Sequence, residues 1–180
     1  MKNAFKKELF KIAKDIKILI LDVDGVLTDG SIILDNKDNE LKCFHVRDGH
    51  GIKMLLRHDI VVALITGRYS EVVKRRAKEL GIKDVFQKCY DKTKAYNRIV
   101  KKYAIGDHQI AYVGDDIVDI PLLKKCGFPI TVSDADKHVK SFVKMVTKNR
   151  GGRGAVREVC DLILKAKNLW ENIISEYSKI

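Results

Sequence analysis

Residues 17–30 read KILILDVDGVLTDG, and the aliphatic run Ile18, Leu19, Ile20, Leu21 ahead of two aspartates restricts the fold more than any other stretch. A strand with one face in water alternates apolar and polar residues. One without alternation must be covered on both faces, as in the middle of a parallel sheet flanked by helices. The same pattern returns at IVVALIT (60–66) and QIAYV (109–113), and helical periodicity follows each time.

The elements between these runs continue the alternation. Residues 31–46 carry two apolar arms around the polar turn at 35–39, the pattern of a β-hairpin. Asp48 is placed to cap a helix reaching about His58, and Ser70 to cap EVVKRRAKEL, which Gly81 stops. A short strand near Val85, a helix over 92–103, a helix opened by Pro121, a strand at PITVS and a helix over 135–140 follow in order. GGRG (151–154) interrupts the chain before a long amphipathic helix over about 155–177. The expectation is an α/β fold, a doubly wound, Rossmann-like and mostly parallel sheet in a single domain over 1–180, with a hairpin flap after the first strand.

Composition narrows the possibilities by exclusion. At 180 residues, 46% hydrophobic and 33% charged, the chain suits one globular domain and not a disordered or fibrous one. No apolar run reaches the ~18 residues of a membrane span, and the basic N-terminus has no apolar signal core, so a cytoplasmic protein is expected. The four cysteines are far apart and form no CxxC pair, which suggests neither zinc nor a disulfide framework. A net charge of +11 favours anionic ligands. With one Trp and no aromatics interleaved with lysines, nucleic acid is not the expected partner.

Ligands of open α/β sheets bind at the carboxyl ends of the strands, and the chemistry-bearing residues gather there. Asp22 and Asp24, two apart on an extended segment, are expected to face one crevice, with Gly25 turning the chain behind them. Two close carboxylates need a cation, and a hard ion such as Mg²⁺ suits them. Thr66 ends the second buried run and brings a hydroxyl, Lys92 an ammonium group, and Asp115, Asp116 and Asp119 of GDDIVD further carboxylates. A nucleophile, an acid, charge stabilisers and a metal site are together the requirements of phosphoryl transfer. The five histidines show no metal-ligand spacing.

DVDGVLTDG, ITGR, Lys92 and GDDIVD, in this order, resemble the four motifs of the haloacid dehalogenase-like (HAD) phosphatases. LKCFHVRDGHGIKML, ALITGR, YVGDDIVDIPLL and GGRGAVREVCDLIL are similar to the branch acting on 3-deoxy-D-manno-octulosonate 8-phosphate (KDO 8-P), across nearly the whole chain. The resemblance implies Asp22 as nucleophile and Asp24 as acid and then base. Mg²⁺ would be held by Asp22, the Asp24 main-chain carbonyl and Asp115, with Asp116 and Asp119 behind them. Thr66 and Lys92 would stabilise the transferring phosphoryl group. Substrate contacts are expected at Asp24, His45, Val46, Arg47, Asp48, Gly49, Arg68, Arg76 and Lys92, and Arg153 is expected near a neighbour's site; Arg157 is a further donor. His45 stands where much of the family has asparagine.

The motif spacing leaves no room for a cap domain, since 24–66 holds only a hairpin and a helix and 66–92 a helix and a short strand. Ile32, Ile33, Leu34, Leu41 and Phe44 are more apolar surface than two strands can bury, so the hairpin is expected to pack on another subunit. The resemblance implies a homotetramer in lipopolysaccharide precursor synthesis. Two other readings stay open: the same chemistry on an N-acylneuraminate 9-phosphate or a nucleic-acid 3′-phosphate, and a non-catalytic sugar-binding module.

Overall fold

The computed structural model describes residues 2–37 and 39–179; Asp38, in the expected hairpin turn, lies outside them. Among the described residues the strands are β1 (Ile18–Leu21), β2 (Ile33–Leu34), β3 (Glu40–Leu41), β4 (Val61–Ile65), β5 (Asp84–Phe86), β6 (Ile110–Val113), β7 (Phe128–Thr131) and β8 (Met145–Val146). Six of them form one parallel sheet in the order β5-β4-β1-β6-β7-β8, and β2 and β3 pair antiparallel as a separate hairpin. The helices are α1 (Lys2–Asp15), α2 (Val46–Arg57), α3 (Glu71–Leu80), α4 (Lys92–Tyr103), α5 (Ile120–Lys125), α6 (Ala155–Ala166) and α7 (Trp170–Tyr177).

The unalternating strands are buried on both faces for the reason their sequence suggests. Leu19 and Leu21 of β1 face the larger core cluster, made with α1, α2, α3 and α6, whereas Ile18 and Ile20 face a smaller one made with α4 and α5. The chain winds from β1 to one side through β4 and β5, then returns through α4 to β6 on the other. The strand order therefore reverses at β1, and a crevice opens at its carboxyl end.

Several local expectations need correction. Helix α2 starts at Val46 with His45 at its N-cap, and Asp48 does not cap it. The buried Asp48 carboxylate instead accepts from Gly154 N at 3.2 Å and Arg157 N at 2.6 Å, closing the open end of α6. Ser70 occupies the N-cap position of α3, but its hydroxyl makes no cap bond; its own N–H donates to Gln87 Oε1 at 2.7 Å. Residues 135–140 form no α-helix. A 3₁₀ turn at Val139–Phe142 leads into β8, and Asp136 ties the loop down by accepting from His138 N at 2.7 Å. The long terminal helix is two helices, parted where Asn168 takes φ +58°.

The hairpin is shorter than its apolar arms suggest, with two residues in each strand. Ile32, Ile33, Leu34 and Leu41 are exposed, but Phe44 packs against this chain's own core and does not join the outward apolar face. Among the described residues no helix is long and apolar enough to cross a membrane.

Candidate active site

Strand β1 ends at Leu21, and the chain turns at once: Leu27 N and Thr28 N both donate to Val23 O, at 2.9 and 3.0 Å. Asp24 thus sits in a tight turn and not on an extended segment. The turn, and not a two-residue repeat, brings its carboxylate to the same cleft as Asp22. Gly25, at φ +88°, is required here, because a Cβ would lie 2.1 Å from Asp115 Oδ2. Gly114 has a similar role, since a Cβ there would lie 2.4 Å from Asp119 Cγ. Gly25 thus lets the β6 loop close down on the β1 loop, and Gly114 lets the β6 loop fold back over its own Asp119.

The resulting cleft, about 330 Å³, is lined by Asp22, Asp24, Thr66, Arg68, Lys92 and Asp115, together with Asp116 and Cys89. Beneath it lies a buried polar network. Lys92 Nζ is 2.9 Å from Asp22 Oδ2 and 2.6 Å from Asp119 Oδ1, and the Tyr112 hydroxyl donates to Asp119 Oδ1 at 2.5 Å. The other Asp119 oxygen accepts from Asp115 N at 2.9 Å and Asp116 N at 3.2 Å. Asp22 Oδ1 accepts from Val23 N at 2.7 Å, which fixes the carboxylate's rotation. Thr66, also buried, accepts at Oγ1 from Arg68 N at 3.3 Å.

Charge in this site is out of balance. Burial, reinforced by the Asp119 charge and opposed by Lys92, pushes Asp22 up to about 6. Burial and repulsion from Asp22 and Asp119 push Asp115 up to about 8. Burial would lower Lys92, but the Asp22 and Asp119 carboxylates more than offset it and hold its pKa above the usual lysine range. The one buried ammonium pairs with Asp22 and Asp119, and the third carboxylate, Asp115, has no salt-bridge partner among the described residues.

Oxygens of Asp22, Asp115 and Asp119 lie within 4.8 Å of one another. Asp119 is fully engaged, whereas Asp115 Oδ1 is buried and has no hydrogen-bond partner. An orphaned carboxylate oxygen beside a second carboxylate fits a hard divalent cation such as Mg²⁺. Asp22 and Asp115 are the side chains placed to hold it.

The structure does not bring all the expected contacts to this cleft. Arg68 and Lys92 line it. His45, Asp48, Gly49 and Arg76 instead surround a separate small cavity between α2 and α3, where Arg76 Nη1 pairs with Glu79 at 2.8 Å and its guanidinium lies 5.8 Å from the Phe44 ring. Arg47, Arg153 and Arg157 line a third, basic groove, and Val46 is exposed. Arg153 pairs with Asp29 of its own chain at 3.3 Å, and Gly152 N donates to Val26 O at 2.9 Å, so the GGRG loop braces the catalytic turn. Asp116 is exposed and accepts from Ile117 N, its own turn, at 2.7 Å; it does not reach Lys92.

Sequence reasoning passed over Tyr112, Glu40 and Lys42. Tyr112 looked like one more apolar residue of a buried strand. Lys42 pairs with Asp24 and, at 3.3 Å, with Glu40, while Arg68 bonds Glu40 at 2.8 Å. The signal was the alternation Glu40-Leu41-Lys42-Cys43-Phe44, which places both charges on one face.

An aspartate turn after the central strand, a hydroxyl at the next strand end, a buried lysine and a distal acidic loop define a HAD-type hydrolase site. Residues 82–159 match the family model of haloacid dehalogenase-like hydrolases, and the chain belongs to that family. Within it, the chain is 48% identical over 155 residues to the 3-deoxy-D-manno-octulosonate 8-phosphate phosphatase KdsC of Escherichia coli K12, covering 86% of this chain and 82% of that protein. The crystal structure of the Yersinia pestis phosphatase of the same name superposes with a TM-score of 0.90 at 44% identity, over 91% of this chain and 89% of the other. That of the Moraxella catarrhalis phosphatase, in complex with a magnesium ion, a phosphate ion and KDO, superposes with a TM-score of 0.93 at 42% identity, over 95% and 98%.

Proposed function

We propose that this chain is a Mg²⁺-dependent phosphomonoesterase that hydrolyses KDO 8-P to KDO and phosphate, in the cytoplasm, as a step of lipopolysaccharide precursor synthesis. The observation that carries the chemistry is the buried Asp22–Lys92–Asp119 arrangement beside the unpartnered Asp115 oxygen. The substrate rests on the phosphatases of that name to which nearly the whole chain is similar.

Asp22 attacks phosphorus and becomes an aspartyl phosphate, while Asp24 gives its proton to the departing sugar oxygen. Asp24, now a carboxylate, takes a proton from the water that attacks the phosphorus of the aspartyl phosphate. The Asp22–phosphorus bond breaks and phosphate leaves. Lys92 and Thr66 face the charge that develops on the equatorial oxygens, and Asp119 with Tyr112 holds Lys92 in place. A magnesium ion held by Asp22, Asp115 and the Asp24 carbonyl would supply electrostatic shielding between the anionic nucleophile and the anionic phosphate.

The remaining assignments belong to the same proposal. Arg68, at the rim, reads the sugar acid; His45, Val46, Arg47, Asp48, Gly49, Arg76 and Arg153 act, where they touch substrate, in a site completed by another subunit. We take the chain as one capless domain over 1–180 assembling as a homotetramer, with the exposed apolar residues of the hairpin as contacts.

Phosphate release from KDO 8-P, an N-acylneuraminate 9-phosphate and a 3′-phosphorylated oligonucleotide, with Mg²⁺ or chelator, tests the reading. Chelator-sensitive release from KDO 8-P alone is expected, with Asp22→Asn losing at least ~10³-fold in kcat. Preference for another ester would replace the substrate, and full activity of the variant would remove Asp22 as nucleophile.

A further inference from the structure

The polar face of the hairpin reaches into the catalytic machinery. Along β3 and beyond it, Glu40, Lys42 and Phe44 point inward while Leu41 and Cys43 point out. The Lys42 side chain is 1% exposed, and its ammonium group sits between Asp24 Oδ1 and Glu40 Oε1. Arg68 closes the chain, bonding Glu40 Oε1 at 2.8 Å and approaching Asp24 Oδ2 at 3.9 Å.

We propose that Lys42, supported by Glu40, is a positioning residue that engages Asp24 Oδ1 and leaves Oδ2, on the Arg68 side of the cleft, as the oxygen that exchanges a proton with the leaving group. The inference rests on the reading of Asp24 as general acid. A carboxyl group has two oxygens and can rotate, so an acid held by neither would present its proton in several directions. A charge-assisted bond from a buried ammonium holds one oxygen as a standing acceptor. The other is then the only one free to carry the proton. Because Lys42 belongs to the hairpin and not to the sheet, the acid is correctly aimed only when the hairpin is seated. Lys42 pairs with Asp24 and does not line the cleft, so its route to the reaction is through Asp24.

The test measures how kcat/KM depends on the leaving group, because kcat/KM covers the steps through formation of the aspartyl phosphate. A poor alkoxide leaving group needs the acid, and p-nitrophenolate does not. Lys42→Met is expected to lower kcat/KM by roughly 30- to 100-fold for alkyl phosphates and by no more than about threefold for p-nitrophenyl phosphate. Glu40→Gln, which keeps the strand, is expected to show the same trend at smaller size and carries the test should Lys42→Met fail to fold. Equal losses on both ester classes, or none on either, would overturn the proposal by leaving Lys42 with a structural role. Asp24→Asn separates the layers: a leaving-group slope unchanged in that variant would overturn the acid assignment and this inference with it, whereas a steep slope there and a flat one in Lys42→Met and Glu40→Gln would overturn this inference alone. Failure of the wild type on KDO 8-P would sink only the substrate reading, since the slope is read across whichever alkyl and aryl esters it turns over.

Discussion

The floor of the cleft and the hairpin above it solve opposite problems. The floor stands at the ends of β1, β4 and β6, strands buried on both faces, and its buried charged groups Asp22, Lys92 and Asp119 are paired with one another, whereas the buried Asp115 Oδ1 has no partner among the described residues. The hairpin is two short strands whose charges point inward to Asp24 and whose aliphatic side chains point outward. Rigidity in the floor comes from burial. In the hairpin it comes from ion pairs, so the two regions should respond differently to the same kind of damage.

The largest effect is expected in the floor. Asp119→Asn keeps the volume but turns an amide N–H toward either Lys92 or the Asp115 and Asp116 N–H groups, and leaves the buried ammonium with Asp22 alone. Breaking a buried pair in this way costs about 3–5 kcal/mol. Chemical denaturation should show that loss together with a collapse of turnover; a variant as stable as wild type would mean that the network contributes activity without rigidity.

Most of this floor was legible in the sequence because it depends on local patterns. Aliphatic runs ending in DVDGV, ITGR and GDDIVD place residues at strand ends whatever the exact packing, and the sheet supplies the rest. The misjudged features depend on partners distant in the chain. Asp48 has the appearance of a cap for its own helix, but its acceptors serve residues 154 and 157, and no local rule connects them. Residues 40–44 alternate and so carry two faces, and the inward one, with Glu40 and Lys42, gains its meaning only from Asp24, distant in the chain.

A smaller and more informative effect concerns pH and metal. Asp22 and Asp115 keep their protons to about 6 and about 8 in the fold, against an ordinary aspartate value of 3.8. Between about pH 4 and 8 these two groups bind more protons in the folded state than in the unfolded one and make stability fall as pH rises; His50, held below the usual histidine range by burial and by the neighbouring Arg157 and Arg57, opposes them as a single group. Lys92, charged throughout this window, does not change the sign. Melting temperature in chelator should decline from pH 5 to 8.5, and Mg²⁺ should raise it most at the alkaline end. Asp115→Asn should flatten the upper half of the slope and weaken the response to Mg²⁺. A slope of opposite sign in the wild type would show that the carboxylates are not the groups in deficit.

The hairpin offers the smallest effect on folding and the sharpest contrast with the floor. Leu34 and Leu41 are 63% and 56% exposed, so replacing both with serine removes little that this chain alone buries. The expected change in unfolding free energy at low protein concentration is within about 0.5 kcal/mol. If these side chains are subunit contacts, the double variant should nonetheless dissociate in sedimentation analysis. Its kcat/KM should fall most for alkyl esters, because a hairpin without its outer support no longer holds Lys42 against Asp24. Loss of assembly with unchanged leaving-group dependence would separate oligomerisation from aiming of the acid. Retention of both would leave the outer face of the hairpin without a role in the assembly, and the ion pairs of Glu40, Lys42 and Arg68 would then be sufficient to seat it.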